Sequence, residues 1–220
     1  MFSLAKDKDG FVWVGTAKGV TVFFDPFSIS QGQIVDASPP VFDRTALLKN
    51  STVTAIAVDG GNRKWLGTED GIFLVSENGD ELIEQFTEEN SPLLSNRIND
   101  ISIDETTGLI FIATDKGLMS FQGDAVEGEE RCTDVLVYPN PVFTDFQGQI
   151  TIRGTTAESK VKITTVSGAL VKEVDSLGGV ATWDGRDVYG QQVRSGVYLA
   201  LIADRNGENA CIGKFTVIAR

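Results

Sequence analysis

The chain has 220 residues, and its 31 acidic side chains outnumber its 19 lysine and arginine side chains, so the net charge is −12. So acidic a surface repels nucleic acid, which is therefore not an expected partner. The sequence contains no histidine, which excludes Ser-His-Asp and Cys-His catalysis and the usual histidine-containing zinc and iron sites.

Three copies of one sequence pattern follow each other in the first half of the chain. Each copy has an aromatic residue two places before a small residue, then a threonine and a turn glycine; Thr16, Thr68 and Thr114 are 52 and 46 positions apart. This period is typical of a four-stranded propeller blade and exceeds that of leucine-rich or tetratricopeptide repeats. The aromatic residues of the three copies are Trp13, Trp65 and Phe111.

Each copy predicts the same succession of strands. A first strand of alternating apolar residues leads through an Asp- and Gly-rich turn into a second strand that carries the aromatic residue. A glycine that can accept a positive φ leads into a third strand, and an outer fourth strand is clearest at residues 82–86. Residues 1–125 therefore predict an incomplete β-propeller of about 2.7 four-stranded blades. Residues 1–5 already resemble the first strand of a blade and follow no signal peptide, so we expect further blades upstream in the parent protein.

Two sets of repeated residues have both a structural and a functional interpretation. Trp13 and Trp65 can be sugar-stacking platforms, but their repetition in register favours core residues between sheets. The acidic residues at the turns are interpreted as turn residues rather than general acids or bases. Weak calcium binding is left open for residues 7–10, which contain a fragment of a calcium loop without its later ligands. The acidic residues concerned are Asp7, Asp9, Asp59, Asp104 and Asp115.

The composition changes near residue 125. Residues 126–133 are polar and acidic, and we interpret them as a linker between two domains. Residues 1–131 contain 10 Lys and Arg against 22 Asp and Glu, whereas the remaining residues contain 9 of each kind. The whole net charge therefore belongs to the propeller half of the chain.

Residues 134–220 predict a second all-β domain. Seven short strands with frequent turns are typical of an Ig-like β-sandwich. The prolines of residues 139–141 predict an extended opening segment, since each proline fixes its φ angle, and Gly168 supplies a hairpin turn. The predicted strands are residues 135–138, 149–153, 160–165, 170–174, 180–183, 197–204 and 211–218.

The two cysteines of the chain, Cys132 and Cys211, are 79 residues apart in this second domain. One precedes the first predicted strand, and the other begins the last. In Ig-like sandwiches these two strands can run side by side in parallel, so the thiols can meet at one end. We hypothesise a disulfide formed in an oxidising compartment, and two free thiols remain the alternative.

Four segments of the second domain carry a recognisable pattern: residues 137–142, 162–171, 195–198 and 213–217. On these segments the domain resembles the C-terminal sorting domain of type IX secretion cargo in Bacteroidetes. Residues 183–198 are also similar to the Ig-like domain of flagellar hook-capping proteins, which implies the same sandwich fold. The motif residues that the sorting-domain resemblance implies are Tyr138, Pro139, Asn140, Pro141, Gly168, Gly196, Tyr198 and Lys214.

The blades resemble two-component regulator propeller repeats, which carry a Trp-x-Gly-Thr strand before a glycine-containing turn. Such repeats followed by a sorting-type sandwich are similar to the C-terminal part of the PorZ-like proteins of type IX secretion. This resemblance implies a non-enzymatic protein of the extracellular or outer-membrane surface, exported through the periplasm, with the propeller as binding scaffold and the second domain as export address.

The same resemblance implies that the partners are secretion-system or surface proteins, and that a glycan or lipopolysaccharide is bound. Because the blade half is acidic, such an anionic glycan contact lies on upstream blades, is bridged by a cation, or is absent from this relative. We expect no cofactor, no metal and no catalytic residue. We also expect no transmembrane segment, since no run of roughly 18 apolar residues is present. Two alternatives stay open. One is the extracellular sensor propeller of a hybrid two-component system, and the other is the tail of a secreted adhesin or enzyme whose active domain lies upstream.

Overall fold

The computed structural model describes residues 1–129, 131–132, 134–204, 206–207 and 210–219. The chain divides into two units, Met1–Gly123 and Asp124–Arg220, beside the boundary that we predict at residue 125. Nearly all regular structure in the described residues is β-strand, so the all-β class is confirmed.

The first unit contains three antiparallel sheets in which each strand pairs with the next strand along the chain. A short helix, with the Asp25 side chain as its N-cap, and a two-stranded hairpin lie between the first and second sheets in sequence. The first sheet comprises β1 (Ser3–Lys6), β2 (Val12–Thr16) and β3 (Gly19–Phe23), and α1 (Pro26–Ser30), β4 (Val41–Phe42) and β5 (Thr45–Ala46) follow. The second sheet comprises β6 (Val53–Val58), β7 (Lys64–Thr68), β8 (Ile72–Val75) and β9 (Leu82–Phe86), and the third β10 (Ile98–Asp104), β11 (Leu109–Thr114) and β12 (Gly117–Gln122).

Only the second sheet has four strands among the described residues. Its outer strand is β9, which pairs with β8 and confirms the strand predicted at residues 82–86. In the first sheet a single bridge between Val22 and Ser38 occupies the place of a fourth strand. The third sheet ends at β12, on whose outer side no further described strand pairs.

The repeated tryptophans face the next sheet along the chain. Trp13 belongs to the hydrophobic cluster between the first and second sheets, and Trp65 to the cluster between the second and third, each with 1% of its surface exposed. The prediction that both are core residues is confirmed. Phe111, their counterpart in the third copy, is 39% exposed, because within the described chain the first unit has no further sheet to cover it.

The repeated small residue allows two sheets to approach closely. A Cβ atom built at Gly67 would lie 2.6 Å from Cγ2 of Ile98, and one built at Gly15 would lie 2.7 Å from the carbonyl oxygen of Val53. Both distances are shorter than real carbon contacts, so a larger residue would separate the sheets.

The repeated threonine closes the turn between the second and third strands. Thr68 Oγ1 donates a hydrogen bond to the carbonyl oxygen of Gly71 (2.9 Å) and accepts one from the N–H of Asp70 (2.9 Å). The same pair of bonds recurs at Thr16 and Thr114. Gly71 has a φ of +107°, which side-chain-bearing residues rarely adopt.

The second unit is a sandwich of two sheets around one hydrophobic core, to which both sheets contribute. Trp183, Tyr198 and Phe215 contact one another within this core. One sheet has the order β13-β15-β18 and the other the order β14-β20-β19-β16-β17. The strands are β13 (Leu136–Tyr138), β14 (Val142–Phe143), β15 (Ile150–Arg153), β16 (Lys160–Thr165), β17 (Leu170–Asp175), β18 (Val180–Trp183), β19 (Gly196–Ala203) and β20 (Ala210–Ile218).

Two expectations about this sandwich are wrong. It has an eighth described strand, the short β14, beyond the seven that we predict. The strand that runs parallel to the last strand is β14, through Val142 opposite Val217, whereas the first strand β13 lies in the other sheet. The physical reason is Pro139, which has no N–H to donate to a ladder and so ends β13. Within the second predicted domain, Arg205, Glu208, Asn209 and Arg220 lie outside the described residues.

The acidic stretch at residues 126–133 is not a free linker throughout. Val126 forms a parallel bridge with Gly178, and Glu129 forms one with Thr156. The stretch therefore adds to the edge of the second unit before β13 begins. Glu130 and Thr133, which also belong to the predicted linker, lie outside the described residues.

Candidate functional site

The turn aspartates of the first two copies hold the repeated tryptophans. Asp59 Oδ1 accepts hydrogen bonds from the N–H groups of Gly61 and Arg63, and its Oδ2 accepts one from Trp65 Nε1 (3.1 Å). Asp7 Oδ2 accepts the equivalent bond from Trp13 Nε1 (2.8 Å). The interpretation of these aspartates as turn residues is confirmed. Sequence reasoning missed the indole bond, although the six-residue spacing from Asp to Trp in both copies is its signal.

The same bonds bear on the calcium alternative at residues 7–10. Asp7 Oδ1 accepts hydrogen bonds from the N–H groups of Asp9 and Phe11, and Oδ2 accepts the indole bond of Trp13. These donors use the oxygens that a calcium ion at Asp7 would need. In the part of the chain that the structure describes, no three His, Cys, Asp or Glu side chains are grouped to hold a metal ion.

A lysine is fully buried between the first and second sheets. Lys64 Nζ lies 3.2 Å from Asp7 Oδ2, donates to the carbonyl oxygens of Asn62 (2.7 Å) and Glu77 (2.6 Å), and lies 4.8 Å from the ring centroid of Trp13. Burial lowers the pKa of Lys64, and the Asp7 carboxylate opposes that shift. Because the ammonium has no exposed surface, it joins the two sheets and cannot act on a ligand.

Two carboxyl groups meet beside this lysine. Asn62 Nδ2 donates to Asp9 Oδ2 (2.9 Å) and lies 3.4 Å from Glu77 Oε1. Burial, together with the hydrogen bond to Asp9, raises the pKa of Glu77. The group of Asp7, Asp9, Lys64 and Glu77 has the residue types of an acid-base site. Asp7 and Lys64 are buried between the first and second sheets, whereas Glu77 is partly buried and Asp9 is exposed. The group therefore connects the two sheets, and its lysine is inaccessible from outside.

An aromatic pocket between the second and third sheets is the candidate binding site of the first unit. Its volume is about 250 Å³. Trp65 and Phe86 stack with ring centroids 5.4 Å apart, and Phe121 lies within 6.1 Å of both rings. Glu84 is the only charged residue of the lining. The lining residues are Trp65, Ile72, Glu84, Phe86, Asn90, Ser91, Pro92, Leu93, Ile112, Met119 and Phe121.

The corresponding position beside Trp13 is closed. A Cβ atom built at Gly79 would lie 3.0 Å from Trp13, 3.1 Å from Pro40 and 3.2 Å from Leu47. The longer connection between the first and second sheets thus packs against the first tryptophan. The pocket is therefore particular to the space between the second and third sheets, and its chemistry suits an apolar group with a positive charge near Glu84.

Several predicted motif residues lie at the same end of the five-stranded sheet of the second unit. Asn140 Oδ1 accepts a hydrogen bond from the N–H of Thr216 (3.1 Å), and Gly196, at the start of β19, pairs with Val217 of β20. Gly168 has a φ of +87° in the turn after β16, at the same end, because Thr165 of β16 pairs with Tyr198.

The remaining motif residues have different surroundings. Tyr198 is buried, its hydroxyl donates to the Arg194 carbonyl oxygen (2.8 Å), and burial raises the pKa of this hydroxyl. Lys214 is exposed on β20 opposite Leu199, and Tyr138 is exposed at the end of β13. The motif list therefore combines core, turn and surface residues. Pro139 and Pro141 connect β13 to β14.

The two cysteines form a disulfide at the opposite end of the five-stranded sheet. The Cα atoms of Cys132 and Cys211 are 6.0 Å apart. Cys211 lies at the start of β20, where it pairs with Ile202 near the end of β19. Both cysteines pack against the core of the second unit. The bond thus ties the segment before β13 to the last strand.

The family described as two component regulator propeller matches residues 1–18, which include the hairpin of Trp13 and Thr16. Among solved structures, PorZ from Porphyromonas gingivalis, an essential bacterial surface component of the type-IX secretion system, is 34% identical with a TM-score of 0.67. The chain is similar to PorZ. The match covers 99% of this chain, which spans 30% of the PorZ chain.

Two further structures are more distant. An extracellular domain of the one component system BT4673 from B. thetaiotaomicron is 15% identical, has a TM-score of 0.39, and matches 98% of this chain and 30% of its own. Dimeric latent PorU from Porphyromonas gingivalis is 18% identical, has a TM-score of 0.31, and matches 67% of this chain and 14% of its own. No curated protein matches the chain.

Proposed function

We propose that this chain is the C-terminal part of a PorZ-like protein and works at the bacterial surface as a component of type IX secretion. The first unit is a binding scaffold built from blades of a larger propeller. The second unit, an Ig-like sorting-type domain, is the address that directs export through the periplasm to the outer-membrane surface. The partners are other secretion-system or surface proteins, and any glycan or lipopolysaccharide contact belongs to blades outside this chain.

The observation that carries the proposal is the similarity to PorZ at 34% identity across 99% of the chain. A match of that extent covers both units of this chain. Exposed apolar residues on the outer faces of the first and third sheets, Leu4 and Phe111 among them, support packing against further blades. The position of Asn140 and Gly196 beside neighbouring residues of β20, Thr216 and Val217, supports a shared role for the motif segments.

We propose further that the protein is not an enzyme. The chain has no histidine, and Lys64, which lies beside the carboxylate of Asp7, is fully buried. Within the described residues, no helix is long and apolar enough to cross a membrane.

The test is deletion of residues 134–220 from the full-length protein in its own host, followed by protease accessibility on intact cells and by fractionation. We expect the truncated protein to accumulate in the periplasm. A fusion of residues 124–220 to a periplasmic reporter is the matched gain-of-function control, and we expect the reporter at the surface. Equal surface exposure with and without residues 134–220, together with a periplasmic reporter fusion, would refute the proposal.

The family match over residues 1–18 favours a second candidate, the extracellular sensor propeller of a two-component system. It ranks second because it rests on the first hairpin alone. A sensor of this class lies outside the cytoplasm but inside the outer membrane. We therefore expect the intact protein to be protected from protease on intact cells, and the deletion to leave its periplasmic location unchanged. The fractionation experiment therefore separates the two candidates.

A further inference from the structure

Residues 125–129 lie along the second unit as a short strap, outside its numbered strands. Val126 forms a parallel bridge with Gly178, in the connection between β17 and β18, and Glu129 forms one with Thr156, in the connection between β15 and β16. The strap therefore crosses two connections of the sandwich and belongs to neither of its sheets.

Two glycines allow the strap to lie this close to the sandwich. A Cβ atom built at Gly128 would lie 2.4 Å from the backbone nitrogen of Ala157, and one built at Gly179 would lie 2.3 Å from the carbonyl oxygen of Glu127. Both distances are shorter than real carbon contacts. An added methyl group at either glycine would therefore displace the strap.

The two connections are also joined to each other without the strap. Thr155 Oγ1 donates a hydrogen bond to the carbonyl oxygen of Gly178 (2.9 Å). The N–H groups of Gly154 and Thr155 both donate to the carbonyl oxygen of Gly179 (3.1 and 3.2 Å). The surface on which the strap lies thus stays formed when the strap leaves it.

Release of the strap exposes little of the hydrophobic core. Ala125 and Val126 are buried, but in the described part of the chain neither belongs to the core cluster of the second unit. The neighbouring side chains carry hydroxyl groups: Ser176 Oγ donates to the carbonyl oxygen of Thr156 (3.1 Å), and Thr156 Oγ1 lies 2.6 Å from Ser159 Oγ. Water can hydrogen-bond such groups when the strap leaves. Segments with these contacts open locally, without unfolding of the whole domain.

The disulfide anchors one end of the strap. Cys132, which is bonded to Cys211, comes three residues after Glu129. Without this bond, the next described residue that packs against the core is Val135, six residues after Glu129. The effective concentration of a tethered segment falls roughly as the −3/2 power of the tether length. A tether of twice the length therefore makes closure of the strap about threefold less favourable.

We propose that the pair of Cys132 and Cys211 is a redox latch, whose disulfide favours the closed strap and whose dithiol favours the open strap. In closure the two thiols give two electrons and two protons to an external disulfide, which becomes a dithiol, and the new bond joins the two Sγ atoms. Opening is the reverse exchange with an external dithiol. An oxidising compartment outside the cytosol thus favours closure. The inference stands on the second unit alone and is independent of the proposed secretion role.

The test is hydrogen exchange of individual amides, measured by nuclear magnetic resonance on the whole oxidised chain and on Cys132→Ser/Cys211→Ser. The amide of Gly179 donates to a carbonyl oxygen of the strap (2.9 Å), and the amide of Glu129 donates from the strap to the neighbouring connection (3.2 Å). We expect both amides to exchange about threefold faster, or more, without the disulfide. Their exchange should not respond to low urea, because the opening is local, whereas exchange of the β15 amides should respond.

The reduction equilibrium of the disulfide provides a second readout. If the disulfide favours the closed strap, displacement of the strap must favour reduction by about the same factor. Gly128→Ala should therefore lower the ratio of dithiothreitol to its oxidised form at half reduction about threefold. Gly196→Ala is the matched control, since its added Cβ would lie 3.7 Å from Tyr198, an ordinary contact, and we expect no change.

Circular dichroism verifies the fold of each variant, and the natural chain reduced by a phosphine is a second form without the bond. Equal exchange of the two strap amides with and without the disulfide would overturn the proposal. The same conclusion would follow if these amides exchanged only at urea concentrations that also release the β15 amides. Two free thiols in protein made under oxidising conditions, or an unchanged reduction ratio for Gly128→Ala, would equally contradict it.

Discussion

Replacement of Asp59 by alanine tests whether the turn aspartate fastens the second sheet. Asp59 is 2% exposed, and its carboxylate accepts hydrogen bonds from the N–H groups of Gly61 and Arg63, from Arg63 Nε (2.8 Å) and from Trp65 Nε1 (3.1 Å). Arg63 Nη2 also lies 2.8 Å from Asp59 Oδ2. Removal of one partner from a buried ion pair typically costs about 3–5 kcal/mol. We expect Asp59→Ala to lower the free energy of unfolding of the first unit by about that amount, a large fraction of the roughly 5–15 kcal/mol that stabilises a domain.

The assay is urea unfolding followed by tryptophan fluorescence in a Trp183→Phe background, so that only first-unit indoles report. Asp104→Ala is the matched control. Asp104 begins the corresponding turn of the third copy but is exposed, and its carboxylate accepts hydrogen bonds from the Thr106 N–H and the Thr107 hydroxyl rather than from an indole. We expect a much smaller effect there. Equal losses for the two variants, or a loss below about 1 kcal/mol for Asp59→Ala, would refute the reasoning.

Three further outcomes are expected. Burial raises the pKa of Glu77 above its ordinary value of 4.5, so the folded state keeps this proton to higher pH than the unfolded state does. The contribution of Glu77 to the free energy of unfolding therefore falls as the pH rises from 4.5 through the raised pKa. Glu77→Gln should reduce the dependence of the urea midpoint on pH across that range. An unchanged dependence of the midpoint on pH would contradict this expectation. Leu66→Ala, at a fully buried position, should cost about 2–5 kcal/mol in thermal unfolding, whereas Leu118→Ala should cost little. Peptide mapping by mass spectrometry without reductant should find Cys132 joined to Cys211, and two free thiols would argue against the bond. Reduction should lower the free energy of unfolding of the second unit by about 3–5 kcal/mol, as expected for a 79-residue separation.

Much of the fold is predictable because its signals are local. Each copy has a threonine and a glycine at the same turn, which are Thr68 and Gly71 in the second copy. They recur because the threonine hydroxyl bonds two backbone groups and the glycine has a positive φ, and together these close the turn. The strand at residues 82–86 is predictable from its pattern and is β9 in the structure. The pairing of Asp59 with Trp65 has an equally local signal in its spacing, and only its meaning was missed.

The sequence by itself thus determined the repeat period, the strands and the turns, since these depend on residues close together along the chain. Tertiary structure alone decided that Lys64 is buried, because its partners come from Asp7 in another sheet and from the carbonyl oxygens of two separate turns. It also decided that β14 rather than β13 runs beside the last strand. Which face a neighbouring sheet covers depends on packing between distant segments, and no local pattern of residues records that packing.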